Sequence, residues 1–163
     1  MGIKKFIGLE GLNGSGKTTV LKKMSETLVE MGGVVRHIFS MKGLALNGAS
    51  FPPSIGDYIV VIEINGKIVV IATGGDDWWV PEVTLKAIAD IQIRVDVFIA
   101  AIRKSVHVKR KHPGVREGYV GLLGECQKQF VSKDRYGGCH PRSSGGFSRA
   151  DNKCVKVLMR ELV

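Results

Sequence analysis

Hydrophobic and polar positions change period several times along the chain, and each change marks an element. Phe6-Ile7-Gly8-Leu9 is a short apolar run that predicts a buried strand. From Val20 onward, Met24, Leu28 and Met31 recur at helical spacing until Gly32-Gly33 ends the pattern. Val34 to Phe39 alternates enough for a second strand, which a crossover helix would set parallel to the first. Residues 40–57, SMKGLALNGASFPPSIGD, keep no period and are rich in Gly, Ser and Pro. They predict a long loop, either a plain connector or a functional loop at the carboxyl edge of the sheet.

Tyr58–Ile64 and Lys67–Ala72 are β-branched runs separated by Asn65-Gly66. Asn-Gly between strands predicts a tight hairpin, because both turn residues tolerate positive φ. The second arm is apolar on both faces, as a central strand should be. Pro81 suits the start of a helix whose apolar face is Val83, Ala87, Ile88 and Ile91. Val95–Ile102 then reads as a buried strand parallel to the last. Trp78-Trp79-Val80 predicts apolar packing over the sheet edge, with base stacking as the alternative. From Glu117 to Phe130 the spacing is helical (Tyr119, Leu122 or Leu123, Cys126, Phe130), although Gly118, Gly121 and Gly124 weaken it by up to ~1 kcal/mol each. Residues 132–148 are polar and glycine-rich and are expected to be mobile. Cys154, Val155, Leu158 and Leu162 close the chain on a helix with Asp151 as its expected cap. The pattern is α/β: a single domain over 1–163 in three layers, with a mostly parallel sheet, an antiparallel hairpin strand within 59–72, and helices on both faces.

Composition agrees with that picture. A chain of 163 residues, 44% apolar and 24% charged, can bury a core without staples. No apolar run is long enough to cross a membrane and no leader precedes the first strand, so a cytoplasmic protein without membrane partners is expected. Cys126, Cys139 and Cys154 are odd in number and widely spaced, which argues against a disulfide framework. With His140 they supply four zinc-type ligands, but without a C-x-x-C they match no common zinc module and read better as buried or incidental thiols. The net charge of +9 suits anionic partners without choosing among nucleotides, nucleic acid and acidic proteins.

The chemistry concentrates between residues 4 and 19, KKFIGLEGLNGSGKTT. Gly11, Leu12, Asn13, Gly14, Ser15, Gly16, Lys17, Thr18 and Thr19 carry the pattern G-x-x-x-x-G-K-[ST] between a predicted strand and a predicted helix. Glycines let successive N–H groups turn inward around a phosphate, and the helix adds its orphan donors and the positive end of its dipole. Lys17 would reach the β- and γ-phosphates of ATP, and the Thr18 hydroxyl would ligate Mg²⁺. A second Mg²⁺-directed carboxylate is expected after a hydrophobic strand, which makes Asp76 and Asp77 candidates for the metal and Asp76 a catalytic candidate. The alternative is a polar turn before the next helix. Glu63, at the far end of an antiparallel arm, would be carried to the opposite edge. Arg103, just past the predicted strand 95–102, would contact phosphate at the carboxyl edge. It opens the basic stretch RKSVHVKRKHPGVR, residues 103–116, which holds no acid. That stretch reads as a solvated mobile loop, as a cationic flap over phosphates, or as a nucleic-acid contact.

GLEGLNGSGKTT after a short apolar strand resembles the thymidylate kinase group of phosphate-loop NTPases, and the likeness includes Glu10 directly before the loop. It is specific over about residues 5–20. The resemblance implies a parallel sheet wrapped by helices and transfer of the ATP γ-phosphate to a nucleoside monophosphate. Ser132-Lys133-Asp134-Arg135-Tyr136 is similar to the group's Asp-Arg-Tyr segment that holds the acceptor phosphate, but it lies too near the end of the chain for that place and reads as a chance match. The leading expectation is therefore an ATP·Mg²⁺ nucleotide-kinase-like phosphotransferase. Two others stand beside it: an ATP-dependent switch acting on nucleic acid or protein, and a nucleotide-binding protein without turnover. A common GTPase is disfavoured, since no Asn/Thr-Lys-x-Asp guanine motif is present.

Overall fold

In the computed structural model the described residues are 2–12, 15–54, 56–75, 77–104, 114–133 and 149–162. In chain order they form β1 (Ile3–Gly11), α1 (Lys17–Glu30), β2 (Val34–Ser40), β3 (Tyr58–Ile64), β4 (Lys67–Ala72), α2 (Val80–Asp90), β5 (Val95–Arg103), α3 (Val115–Leu123), β6 (Gln127–Ser132) and α4 (Arg149–Arg160). The six strands make one sheet in the order β2-β3-β4-β5-β1-β6. Only β3 runs against the others: it is antiparallel to β2 and β4, whereas β4–β5, β5–β1 and β1–β6 are parallel. The α/β expectation, the Asn65-Gly66 hairpin and the central place of β4 all hold.

Strand alternation divides the core into two layers. Ile7 and Leu9 of β1 and Val97, Ile99 and Ala101 of β5 face Val20, Leu21, Met24 and Leu28 of α1 and Cys154, Val155 and Leu158 of α4. Phe6, Phe98, Ala100 and Ile102 point the other way, to Ala87 and Ile88 of α2 and Val115 and Tyr119 of α3. There Phe6, Phe98 and Tyr119 form a three-ring cluster with centroids 5.1–5.6 Å apart. Because β1, β4 and β5 are buried on both faces over Phe6–Leu9, Val69–Ala72 and Val97–Ile102, those stretches are continuously apolar rather than alternating.

At the amino edge, the Asp96 carboxylate ties three strands together. It accepts from the Ile68 backbone N–H at 2.8 Å and sits 3.1 Å from Lys4 Nζ. The Ile68 bond, more than the nearby cations, holds this carboxyl below its usual range. At the same edge Glu63 pairs with Arg36, far from the carboxyl ends, as the antiparallel arm predicts.

Three expectations need correction. The helix expected from Glu117 to Phe130 is α3 only to Leu123, followed by strand β6. Gly124 takes φ 64° and ψ −137°, a conformation closed to side chains, and Gln127–Ser132 then pairs with Lys5–Glu10 of β1. The apparent 3.6-residue period of Cys126 and Phe130 comes from two unrelated elements. Asp151 is not the cap of the last helix; it lies inside the first turn of α4, fully buried. The tryptophans do not pack as a core pair either: Trp78 is 47% exposed and Trp79 half-buried.

The α3–β6 boundary makes opposite demands on two nearby glycines. Gly121→Ala, which adds a methyl into open space within α3, is expected to raise stability by up to about 1 kcal/mol. Gly124→Ala is expected to cost about 1–3 kcal/mol, because its backbone conformation admits only glycine. Urea midpoints of the two variants should move in opposite directions; movement in the same direction would overturn this helix end.

Candidate functional site

The carboxyl ends of β1, β4, β5 and β6 converge on the glycine segment that follows β1. Gly11 stands opposite Arg103 in the β1–β5 register, and Glu10 opposite Ser132 in the β1–β6 register. The Gly11 carbonyl accepts from the Lys104 backbone N–H at 2.9 Å and from Lys17 Nζ at 2.9 Å. Lys17 Nζ also donates to the Leu12 carbonyl at 2.9 Å, and the residue is only 6% exposed. The Ser15 N–H closes a turn onto the Leu12 carbonyl at 3.1 Å. Gly16, at φ 92°, then swings the chain into α1. Asn13 and Gly14 lie outside the described residues.

The start of α1 suits an anion. Its first turn contains no acidic side chain and Gly16 gives no side-chain cap, so neither competes with an anion for the helix's positive end. A Cβ on Gly11 would fall 2.5 Å from Ser15 Oγ, so the tight curl depends on glycine. Ser15 Oγ is buried with no hydrogen-bond partner. Gly11, the Ser15–Leu12 turn, buried Lys17 and the N-terminus of α1 thus meet at the end of β1.

Thr18 is held toward β4: its hydroxyl donates to the Thr73 carbonyl at 3.0 Å. Thr73 follows β4 and is tied in turn to the start of β3. Its own hydroxyl accepts from the Tyr58 N–H at 3.0 Å and donates to Asp57 Oδ1 at 3.3 Å. The Tyr58 hydroxyl returns to α1 through Ser25 Oγ, 2.9 Å away. Burial, the largest influence on it, raises the Tyr58 pKa and keeps that hydroxyl protonated. Thr18, Thr73, Asp57, Tyr58 and Ser25 thus link α1 to the hairpin at the carboxyl edge.

The Gly74-Gly75 pair has a different purpose from the one its sequence suggests. A side chain at Gly75 would land on the Ala101 carbonyl, and the Gly75 carbonyl accepts from the Arg103 N–H at 3.2 Å. The glycines let the chain run on against β5 beyond the end of β4. Of the two acids that follow, Asp76 lies outside the described residues. Asp77 is exposed and its carbonyl accepts from Val80 N–H at the entry to α2. Arg103, partly buried, shares the strand parity of Val97, Ile99 and Ala101 and so belongs to the α1 face, the side of Lys17. Among the described residues no cluster of three or more His, Cys, Asp or Glu is gathered for a metal, and Cys139 and His140 lie outside them. A cation here would rest on the Thr18 hydroxyl and on carboxylates arranged around the bound phosphates, which the oxygen-rich surroundings of Thr73 fit.

Comparison with known proteins gives a partial likeness. Over 67 residues the chain is 43% identical to a UPF0200 protein of Methanococcus maripaludis strain C7 and 42% identical to a UPF0200 protein of strain C6. The matched stretch is 39% of this chain and 34% of each relative. The chain therefore spans about a third of the length of the curated relatives it matches. No family model matches the chain, and no solved structure matches it.

Several residues at this edge escaped the reading of the sequence. Asp57 had a signal: the hairpin logic that sends Glu63 to the far edge brings the residue before Tyr58 to the end of β4. Arg116 had none. The basic stretch 103–116 is not loop throughout, since Arg103 ends β5 and Arg116 lies in α3; residues 105–113 are outside the described set. Arg116 Nη1 donates to Glu10 Oε1 at 2.8 Å and its guanidinium lies 3.9 Å from the Phe130 ring centre. Likewise Lys133, at the end of β6, stands 3.0 Å from Asp151 of α4 with both side chains fully buried. The contact is an ion pair without the angles of a hydrogen bond. Cys154, one turn on from Asp151, is pushed up to about 11, mainly by burial.

The buried pair and an exposed pair should respond very differently to loss of the cation. Lys133→Met strips a buried carboxylate of its ammonium and is expected to cost about 3–5 kcal/mol. Lys4→Met, at a half-exposed ammonium beside Asp96, should cost less than about 1 kcal/mol. Chemical unfolding of the two variants checks the contrast; equal losses would count against a structural role for the Lys133–Asp151 contact.

Proposed function

We propose that this chain binds ATP·Mg²⁺ at the Gly11–Thr19 segment and acts as a nucleotide-kinase-like phosphotransferase, moving the γ-phosphate to a nucleoside monophosphate or related small acceptor. The observation that carries the reading is Lys17, buried at the mouth of a strand–glycine–helix unit with its ammonium on two main-chain carbonyls. Phosphate oxygens are strong partners for an ammonium at this mouth. On binding, Lys17 Nζ moves from Gly11 and Leu12 to the β- and γ-phosphates, while the N–H groups of the loop and of α1 hold their oxygens. The Thr18 hydroxyl, held at the Thr73 carbonyl, would contact the metal, with Asp77 and, outside the described residues, Asp76 as the candidate acids from the sequence. Bound Mg²⁺ would neutralise charge between the β- and γ-phosphates. Arg103 contacts the transferring group from β5. Catalysis then comes from positioning and electrostatics, since phosphoryl transfer asks little covalent chemistry of the protein.

A second reading, an ATP-dependent switch with an anionic partner, draws on the outer surface. A groove of about 430 Å³ between α1 and α4 is rimmed by Lys23, Lys156 and Arg160, with Val155 and Met159 among the residues lining it. Nucleic-acid binding that falls steeply with salt would favour this reading over the kinase.

Transfer of label from γ-labelled ATP, with Mg²⁺ and a panel of nucleoside and deoxynucleoside monophosphates, tests the proposal. The expected result is label in a diphosphate product, reduced roughly 100- to 1,000-fold in Lys17→Ala through loss of a charge-stabilising donor. Label appearing only as free phosphate, or remaining in ATP, would sink the kinase reading.

A further inference from the structure

Among the described residues, the carboxylate tied most closely to Thr18 by hydrogen bonds is Asp57, just before β3, and not Asp77 after β4. Thr18 Oγ1 donates to the Thr73 carbonyl at 3.0 Å, and Thr73 Oγ1 donates to Asp57 Oδ1 at 3.3 Å. One residue therefore presents a hydroxyl-bearing partner on one side and a carboxylate on the other. Asp57 stands there because β3 is antiparallel: Ile59 pairs with Ala72, so the chain just before Tyr58 passes the end of β4 at the carboxyl edge. Asp57 is half-buried, open enough to meet a ligand and covered enough to be held in place. Its second oxygen, Oδ2, is 3.0 Å from where a Cβ on Gly74 would stand, so the carboxylate occupies the room that the missing side chain at residue 74 leaves. Asp57 Oδ1 is used by Thr73, which fixes the orientation of the carboxylate.

We propose that Asp57 is a carboxylate of the divalent-cation site, holding a water of the metal whose other protein contact is the Thr18 hydroxyl. The inference rests on the nucleotide reading above and adds to it a residue from the hairpin. Mg²⁺ keeps several waters and takes one or two carboxylates together with phosphate oxygens, so a carboxylate one residue removed from Thr18 suits an outer position better than a direct one. Lys17, directly before Thr18, Lys22, with its ammonium 5.9 Å from the centre of the Tyr58 ring, and Glu26, which acts on the Tyr58 hydroxyl, are charged groups of α1 that face this corner. The metal would reduce the repulsion between Asp57 and the phosphates that share the edge.

Mn²⁺ serves as the probe, its free concentration read from the paramagnetic resonance signal in the presence of a non-hydrolysable ATP analogue. Asp57→Asn keeps an oxygen for the Thr73 hydroxyl and removes the charge; Asp57→Ser does the same with a smaller side chain, should the first variant fold poorly. Both are expected to weaken Mn²⁺ binding by roughly 10-fold or more, the usual effect of losing an outer carboxylate. Analogue affinity measured in chelator should hold or rise as the negative charge is removed. Thr73→Val, which frees the carboxylate but keeps the carbonyl used by Thr18, should give a smaller loss of cation affinity. Unchanged Mn²⁺ affinity in the Asp57 variants, with analogue still bound, would overturn this inference and leave the nucleotide reading standing. Failure of the wild type to bind the analogue with or without cation would overturn both.

Discussion

A strand buried on both faces and hydrogen-bonded on both edges can meet solvent only at its ends, and β1 is such a strand. It lies between β5 and β6, with Phe6 packed on one side of the sheet and Ile7 and Leu9 on the other. Any chemistry carried by its sequence must appear where the strand stops. The parallel neighbours then bring their own ends to the same place: Arg103 beside Gly11 and Ser132 beside Glu10. The position of the candidate site is thus a consequence of core packing. Gly8 belongs to the same constraint, since a Cβ there would strike Ile102 and Phe130 from the two flanking strands.

The glycine segment is supported less by its own contacts than by what surrounds it. The Gly11 carbonyl serves both the Lys104 backbone and the Lys17 side chain, which couples the end of β5 to the first residue of α1. Thr18 couples that residue's neighbour to the end of β4, and the Asp57–Thr73–Tyr58–Ser25 links return to α1 one to two turns later. Two anchors on one helix fix its rotation as well as its position. Held at these points, the first turn of α1 presents its N–H groups in a fixed direction at the carboxyl edge.

The sequence told most where a short pattern had one physical solution. Asn65-Gly66 allowed only a tight hairpin, and the continuous apolar runs of β4 and β5 allowed only interior strands. The strand and the helix that flank G-x-x-x-x-G-K-T were equally legible. Reading failed where two elements abut without a break in hydrophobic period, as at Leu123–Gln127, where Cys126 and Phe130 prolonged the spacing of α3 by coincidence. It failed again at Gly74-Gly75, whose purpose is a contact with β5 that only the assembled sheet reveals. Long-range polar partners such as Glu10–Arg116 and Lys133–Asp151 leave no trace at any fixed spacing, because their partners are set by sheet order.

The strong positive charge reads differently once its members are placed. Arg116 is neutralised by Glu10 and stacked on Phe130, and Lys133 is buried against Asp151. Lys5 pairs with Glu161 at 2.9 Å, and this bond does most to hold that carboxyl below its usual range. Lys17 is turned into the loop. These cations act over contact distances, through geometry and burial, and add little to a field felt by a distant partner, which salt screens within about 8 Å. The excess of +9 therefore lies in other cations, Lys156 and Arg160 at the α1–α4 groove among them, because Arg116, Lys133 and Lys5 are each offset by the acid they face. A net charge counted from the sequence has already subtracted the acids of these pairs, so it measures the cations that stand outside them.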